Sequence, residues 1–254
     1  MKNFNYNLIY DFCRVKNERP ASGNGVKELP PRVRFIIGVL KSYRLHYQLD
    51  SYYSSGNLLY NIYLLSRGGS NDWLMAHHDV LRPEYDNAND NSASVINAIA
   101  AKILNPSINV ALVDSEEVWD VKKGSQRFSE LVLDGVLKAN SVLNLELTGK
   151  GGRNFFVGNY QTPLTKKIID MFGCDSIDVP FNDAVVLERN GINTALINPL
   201  PLKEPNSNLD GKFPRIHQLD TSILNRCHTK EDSLENIDPV EMKEFVENVL
   251  LEIH

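Results

Sequence analysis

Asp72-Trp73-Leu74-Met75-Ala76-His77-His78-Asp79 is the stretch on which the fold turns. Residues 72–76 read as an apolar strand, and the chain leaves it on two histidines and an aspartate. In open α/β sheets, sites collect beyond the carboxyl ends of strands. This strand therefore predicts where the chemistry lies. Immediately upstream, residues 58–66 are rich in Leu, Tyr and Ile and read as a second strand. Gly68-Gly69-Ser70-Asn71 separates the two as a turn, so the pair is expected to form a hairpin.

Farther out, strands and helices alternate. Residues 92–104 form an Ala- and Ile-rich helical pattern, and 108–113 are an apolar run suited to a strand buried on both faces. Residues 125–137 read as a helix with Ser125 as N-cap. Residues 141–147 and 193–198 read as strands. Residues 163–172, 183–189 and 238–254 read as helices. Before the hairpin, residues 5–14 read as a short helix and 17–29 as a Gly-, Pro- and Ser-rich loop. Pro30-Pro31 then opens a helix that runs to about Tyr47. The alternation predicts one α/β domain over residues 1–254 with a largely parallel central sheet.

The bulk composition narrows the possible roles. Of 254 residues, 42% are hydrophobic and 23% charged, with a net charge of -5, which argues against nucleic-acid or anionic-membrane partners. No apolar run reaches the roughly 20 residues that span a bilayer. Cys13, Cys174 and Cys227 are few and scattered, and residues 1–10 lack a secretory-leader pattern. A cytoplasmic location is the expectation.

Acidic residues and histidines recur just past the strand ends. His77 and Asp79 follow the first strand, Glu116-Glu117 follow residues 108–113, and Glu146 lies near the end of residues 141–147. Asp90 precedes a helix, and His228 lies in a polar loop before the last one. Taken singly, each has an ordinary reading. His-x-Asp is commonly a surface pair, Glu-Glu a solvated face, and Asp90-Asn91-Ser92 a turn with a helix cap. Gathered at one sheet edge, imidazoles with carboxylates suit zinc.

The ordered set resembles metallopeptidase family 28, the co-catalytic zinc aminopeptidases, whose relatives include glutamate carboxypeptidase and the glutaminyl cyclases. The matching stretches are Ala76-His77-His78-Asp79, Asn87-Ala88-Asn89-Asp90-Asn91-Ser92-Ala93-Ser94 and Glu116-Glu117 with Gly124-Ser125. They continue with Leu143-Asn144-Leu145-Glu146-Leu147, Asn182-Asp183-Ala184 with Gly191-Ile192, and residues 228–238 from His228-Thr229 to Asn236-Ile237-Asp238. The motifs lie within residues 72–240, while residues 1–70 form a helical lead-in and first strand.

The resemblance implies a three-layer α/β/α sandwich with a mixed, largely parallel sheet, and zinc as cofactor, two ions or one. It implies that His77, Asp90 and Glu146 hold one ion, that Asp90, Glu117 and His228 hold the other, and that Asp90 bridges them across a cis Asp90–Asn91 bond. Asp79 would orient His77 and Glu116 would be the general base. Trp119 and Asp183 are candidates for the substrate pocket, and His78 a bystander. His46, His217 and His254 read as surface residues. Glu146 stands where the family usually has Asp, and Ala184 where it usually has His. The expected activity is aminopeptidase action on peptide substrates through a water held between the metals. Two alternatives are a single-zinc, glutaminyl-cyclase-like acyl transferase and a non-catalytic relative. Oligomeric state is not legible.

Overall fold

The computed structural model describes residues 3–16, 28–118, 120–204, 209 and 213–254. Eight strands form one sheet in the order β1-β2-β4-β3-β5-β8-β6-β7. They are β1 (Gln48–Ser54), β2 (Asn57–Leu64), β3 (Asp72–His77), β4 (Asn109–Val113), β5 (Ser141–Leu145), β6 (Phe155–Gly158), β7 (Ser176–Ile177) and β8 (Thr194–Pro199). The central strands β4, β3, β5 and β8 run parallel, while β1, β2 and β6 join antiparallel to a neighbour. The sheet is thus mixed and largely parallel, as the alternation of elements predicts.

The expected hairpin between residues 58–66 and 72–76 does not form. β2 pairs instead with β1 across the two-residue turn Ser55-Gly56, both residues being left-handed. Such a turn matches the twist of paired strands. On its other side β2 pairs antiparallel with β4, which separates it from β3. The Gly68–Asn71 segment therefore crosses a strand. The side chain of Asn109, at the start of β4, holds that crossing: its amide donates to Ser70 O at 2.7 Å and its oxygen accepts the Ser66 N–H at 2.6 Å.

The strands' period of two sorts the core into faces. Leu74, Ala76, Val110, Leu112, Leu143, Leu145, Ala195 and Ile197 face one cluster. It is covered by α1 (Leu8–Cys13), α2 (Pro31–Ser42), α3 (Ser94–Leu104), α5 (Pro163–Phe172) and α7 (Pro239–Phe245) with its continuation to Ile253. Trp73, Met75, Ala111, Val113 and Val142 face the other, beneath α4 (Gly124–Leu133) and α6 (Asp183–Arg189). Counting on by two from Met75 puts His77 on the α4/α6 side, and from Val142 puts Asn144 and Glu146 there too.

Some expected boundaries shift. α2 ends at Ser42, short of Tyr47. α4 begins at Gly124 with Lys123 before it, so Ser125 lies inside the first turn and does not cap it. β6 and β7 add a short edge that no periodicity announces, because four- and two-residue strands are too brief to show one. Most of the expected 17–29 loop, and Trp119, fall outside the described residues. Among the described residues no helix is long and apolar enough to cross a membrane.

Candidate metal centre

Five loops meet at the carboxyl edge of β3, β4 and β5. His77 ends β3 and is 1% exposed. Its Nε2 lies 3.3 Å from Asp90 Oδ1 and 3.5 Å from Glu146 Oε2. The Nε2 of His228 lies 3.2 Å from the other Asp90 oxygen and 2.9 Å from Glu117 Oε2. One carboxylate thus stands between two imidazoles, each with a second carboxylate beside it. Donor atoms of His77, Asp90 and Glu117 all fall within 4.8 Å of one another.

The backbone is shaped to deliver these groups. Asp90–Asn91 is cis, and the segment Ala88–Ala93 is a wide turn leading into α3. Asp90 lies outside helical geometry within it, at φ −105 and ψ 94. Both backbone N–H groups of Asn89 and Asp90 donate to the Asp232 carboxylate, at 2.8 and 3.0 Å. This ties the Asp90 turn to the loop that carries His228. The Asn91 amide donates to Leu145 O at 2.9 Å, fastening the same turn to the end of β5. Glu146 Oε1 accepts from the Asn144 amide at 3.0 Å, which leaves Oε2 turned to His77.

Asp79 has a wider part than orienting His77. Its side chain lies 3.6 Å from His77 Nδ1, and its own backbone oxygen lies 3.3 Å from that nitrogen. Its two carboxylate oxygens accept the N–H groups of Glu116 and Glu117, each at 3.0 Å. His78 points away, with Nε2 2.8 Å from Tyr60 O. Beneath it, the fully buried Arg32 guanidinium donates to His78 O at 2.7 Å and Ser92 Oγ at 2.9 Å while stacking 3.9 Å over the Phe12 ring.

Electrostatically the cluster is overloaded with acid. Burial pushes Glu116 up to about 9, and Asp183, Glu146 and Glu117 add to it against the opposing pull of His77. Burial likewise raises Glu117 and Glu146. His228 is pushed up to about 10 by its bonds to Asp90 and Glu117. His77 is also raised, its burial outweighed by Glu146, Asp79 and Asp90. Burial would raise Asp79, but its bonds to His77 and to the Glu117 N–H hold it down at about 2. Six carboxyl groups, from Asp79, Asp90, Glu116, Glu117, Glu146 and Asp183, thus share one low-dielectric region with two imidazoles. Such an excess of oxygen and nitrogen donors is the setting a divalent cation neutralises. The residues fit zinc, which binds both donor types.

The centre opens into a cavity of about 330 Å³. His77, Asp90, Glu116, Glu117, Glu146 and His228 lie on its wall, and Phe156, Leu196 and Leu224 give it an apolar side. Asp183 is buried behind that wall, raised to about 6 by burial, and its neighbour Asn182 lines the cavity instead. Two contributors carry no motif of their own: Asn198 on the cavity wall and Arg32 beneath His78. Asp232 sits inside the residue 228–238 motif, yet its spacing gives no hint that it grips the Asp90 turn. His254 departs from the surface reading: burial pulls it down to about 4 and its Nε2 is shut from solvent.

The sequence model for peptidase family M28 matches residues 68–253. The chain belongs to peptidase family M28. No curated protein matches the sequence. Solved structures similar to this M28 chain include a Porphyromonas gingivalis glutaminyl cyclase, at 19% identity and TM-score 0.65 over 98% of both chains. A zinc-dependent exopeptidase from Parabacteroides distasonis is similar at 14% identity and TM-score 0.67, over 99% of this chain and 98% of that one. The LapA aminopeptidase of Legionella pneumophila matches at 13% identity and TM-score 0.65, over 95% of this chain and 67% of that one. At such identities the likeness speaks for the fold, which for this M28 chain is that of the zinc exopeptidases.

Proposed function

We propose that this chain is a zinc-dependent exopeptidase that removes the amino-terminal residue of peptides. One observation carries the reading: two imidazole nitrogens, each with its own glutamate, stand on opposite oxygens of Asp90, at 3.3 and 3.2 Å. His77, Asp90 and Glu146 would hold one ion, and Asp90, Glu117 and His228 a second. Zinc bound there supplies Lewis acidity, making water more acidic and a substrate carbonyl more electrophilic.

The chain's own groups do the rest. Glu116 lies on the cavity wall beside the ligands, with its carbonyl held by Lys123 Nζ and its N–H by Asp79. It takes a proton from the attacking water and returns it to the departing amine. Burial raises its affinity for a proton, and positive charge bound nearby would lower that affinity, leaving a carboxylate able to accept the proton and pass it on. Asp79 keeps His77 and the Glu116-Glu117 backbone in one register. Leu147, Phe156 and Leu224 keep one side of the cavity apolar.

A second reading is glutaminyl-cyclase-like transfer, favoured by the end-to-end match with the P. gingivalis cyclase. The product separates them. A peptidase releases a free amino acid from aminoacyl-anilides or dipeptides, whereas a cyclase releases ammonia from an amino-terminal glutamine. The test measures bound zinc and both products for the wild type and Glu116→Gln. Retained zinc with turnover lost in the variant is the expected result. A wild type that binds no zinc when it is supplied ends the proposal.

A further inference from the structure

Beside the ligands, one wall of the cavity combines apolar residues with the buried amide of Asn198. Asn198 is 4% exposed and lines the cavity, and its side-chain oxygen has no hydrogen-bond partner among the described residues. It sits at the end of β8, cross-strand from Phe156 and two residues past Leu196 on the same face. The adjoining carbonyl of Ile197 accepts the Glu146 N–H at 3.1 Å, so Asn198 stands next to a candidate ligand. A buried acceptor without a partner is costly, and sites that leave one open discriminate strongly for a ligand that fills it. Phe156, Leu196, Ile177 and Leu224 give this side of the cavity uncharged neighbours, while Asp178 and the candidate ligands line the rest.

We infer that Asn198 is a specificity-determining residue that reads an uncharged hydrogen-bonding group, an amide or hydroxyl, on the side chain of the substrate's amino-terminal residue. Asn offers a donor as well as an acceptor, so it pairs with a side-chain amide in both directions or with a hydroxyl in one. It offers no charge of its own, so it gives an ammonium or carboxylate side chain no ion pair. An alkyl side chain fills the same volume but leaves the amide unpaired.

The inference rests on the peptidase reading only for its turnover test, so a binding test runs beside it. Amino-acid hydroxamates are titrated calorimetrically into zinc-loaded wild type in shape-matched pairs, Asn against Leu and Thr against Val. The same pairs are assayed as aminoacyl-anilides. The expected result is a preference of at least about tenfold for the polar member of each pair in both measurements. Asn198→Leu, close to Asn in shape, removes or reverses the preference. Asn198→Asp moves it toward Lys and Arg side chains, a gain that misfolding cannot mimic. Equal binding of Asn and Leu hydroxamates to wild type overturns the role of Asn198, as does an unchanged ratio in both variants. Retained binding preference without any anilide turnover sustains Asn198 and overturns the peptidase reading instead.

Discussion

Both oxygens of Asp79 accept a backbone N–H from the Glu116-Glu117 pair while the residue also faces His77. Asp79→Asn keeps the size but replaces one acceptor oxygen with a donor, which opposes an N–H. Zinc affinity should fall by about 10–100-fold, as is usual for groups that orient metal-binding histidines. Competition with a chromophoric chelator measures it, and unchanged affinity would deny Asp79 this part. The two raised histidines make a second prediction. His228, pushed up to about 10, and His77, also raised, both hold a proton more tightly in the metal-free protein than an ordinary histidine does. Zinc needs neutral imidazole, so affinity should rise as pH climbs above the ordinary histidine range, and binding should release protons. Calorimetry in buffers of different ionisation enthalpy counts them. No release would mean the histidines stay out of the coordination.

At the scale of elements, the expected helix at residues 125–137 and the observed α4 differ by one residue at the start, and that residue matters. A Cβ on Gly124 would lie 2.6 Å from the backbone N and O of Asp114. Backbone atoms cannot swing aside, so Gly124→Ala should cost about 1–3 kcal/mol of stability and disturb the Glu116 loop between them. Thermal melting beside a zinc titration checks both effects; a variant as stable as wild type would mean the loop yields freely. Apolar runs such as residues 108–113 show as strands because burial on both faces leaves a compositional mark. The Asp90 and His228 loops are visible only through the family's ordered motifs. Which strand lies beside β2 is not written locally, since β3 and β4 both offer apolar partners and the sheet order is decided by crossovers. Asn198 escapes for a related reason: an asparagine near the end of an apolar strand looks like any terminator until its neighbours are known.

For the whole molecule, the centre joins parts of the chain that otherwise share little. Carboxylates crowded without a cation repel one another, so ion binding should stabilise the entire fold. At free zinc about a thousandfold above Kd, the gain is about 4 kcal/mol, roughly 8–16 °C in Tm for a domain of this size. Stripping with a chelator should reverse it in a calorimetric scan. A Tm indifferent to zinc would mean that the cluster does not bind the ion in the folded state.

The pairing of Glu117 with His228 spans 111 positions, and that of Asn89 with Asp232 spans 143. Synthesis proceeds from the amino terminus, so the acids of the centre leave the ribosome long before the second imidazole does. A half-made chain therefore carries no assembled hydrolase. Contacts of such long reach are also slow to close. The arrangement of the centre is thus completed late, once nearly all of the chain that holds it has been made.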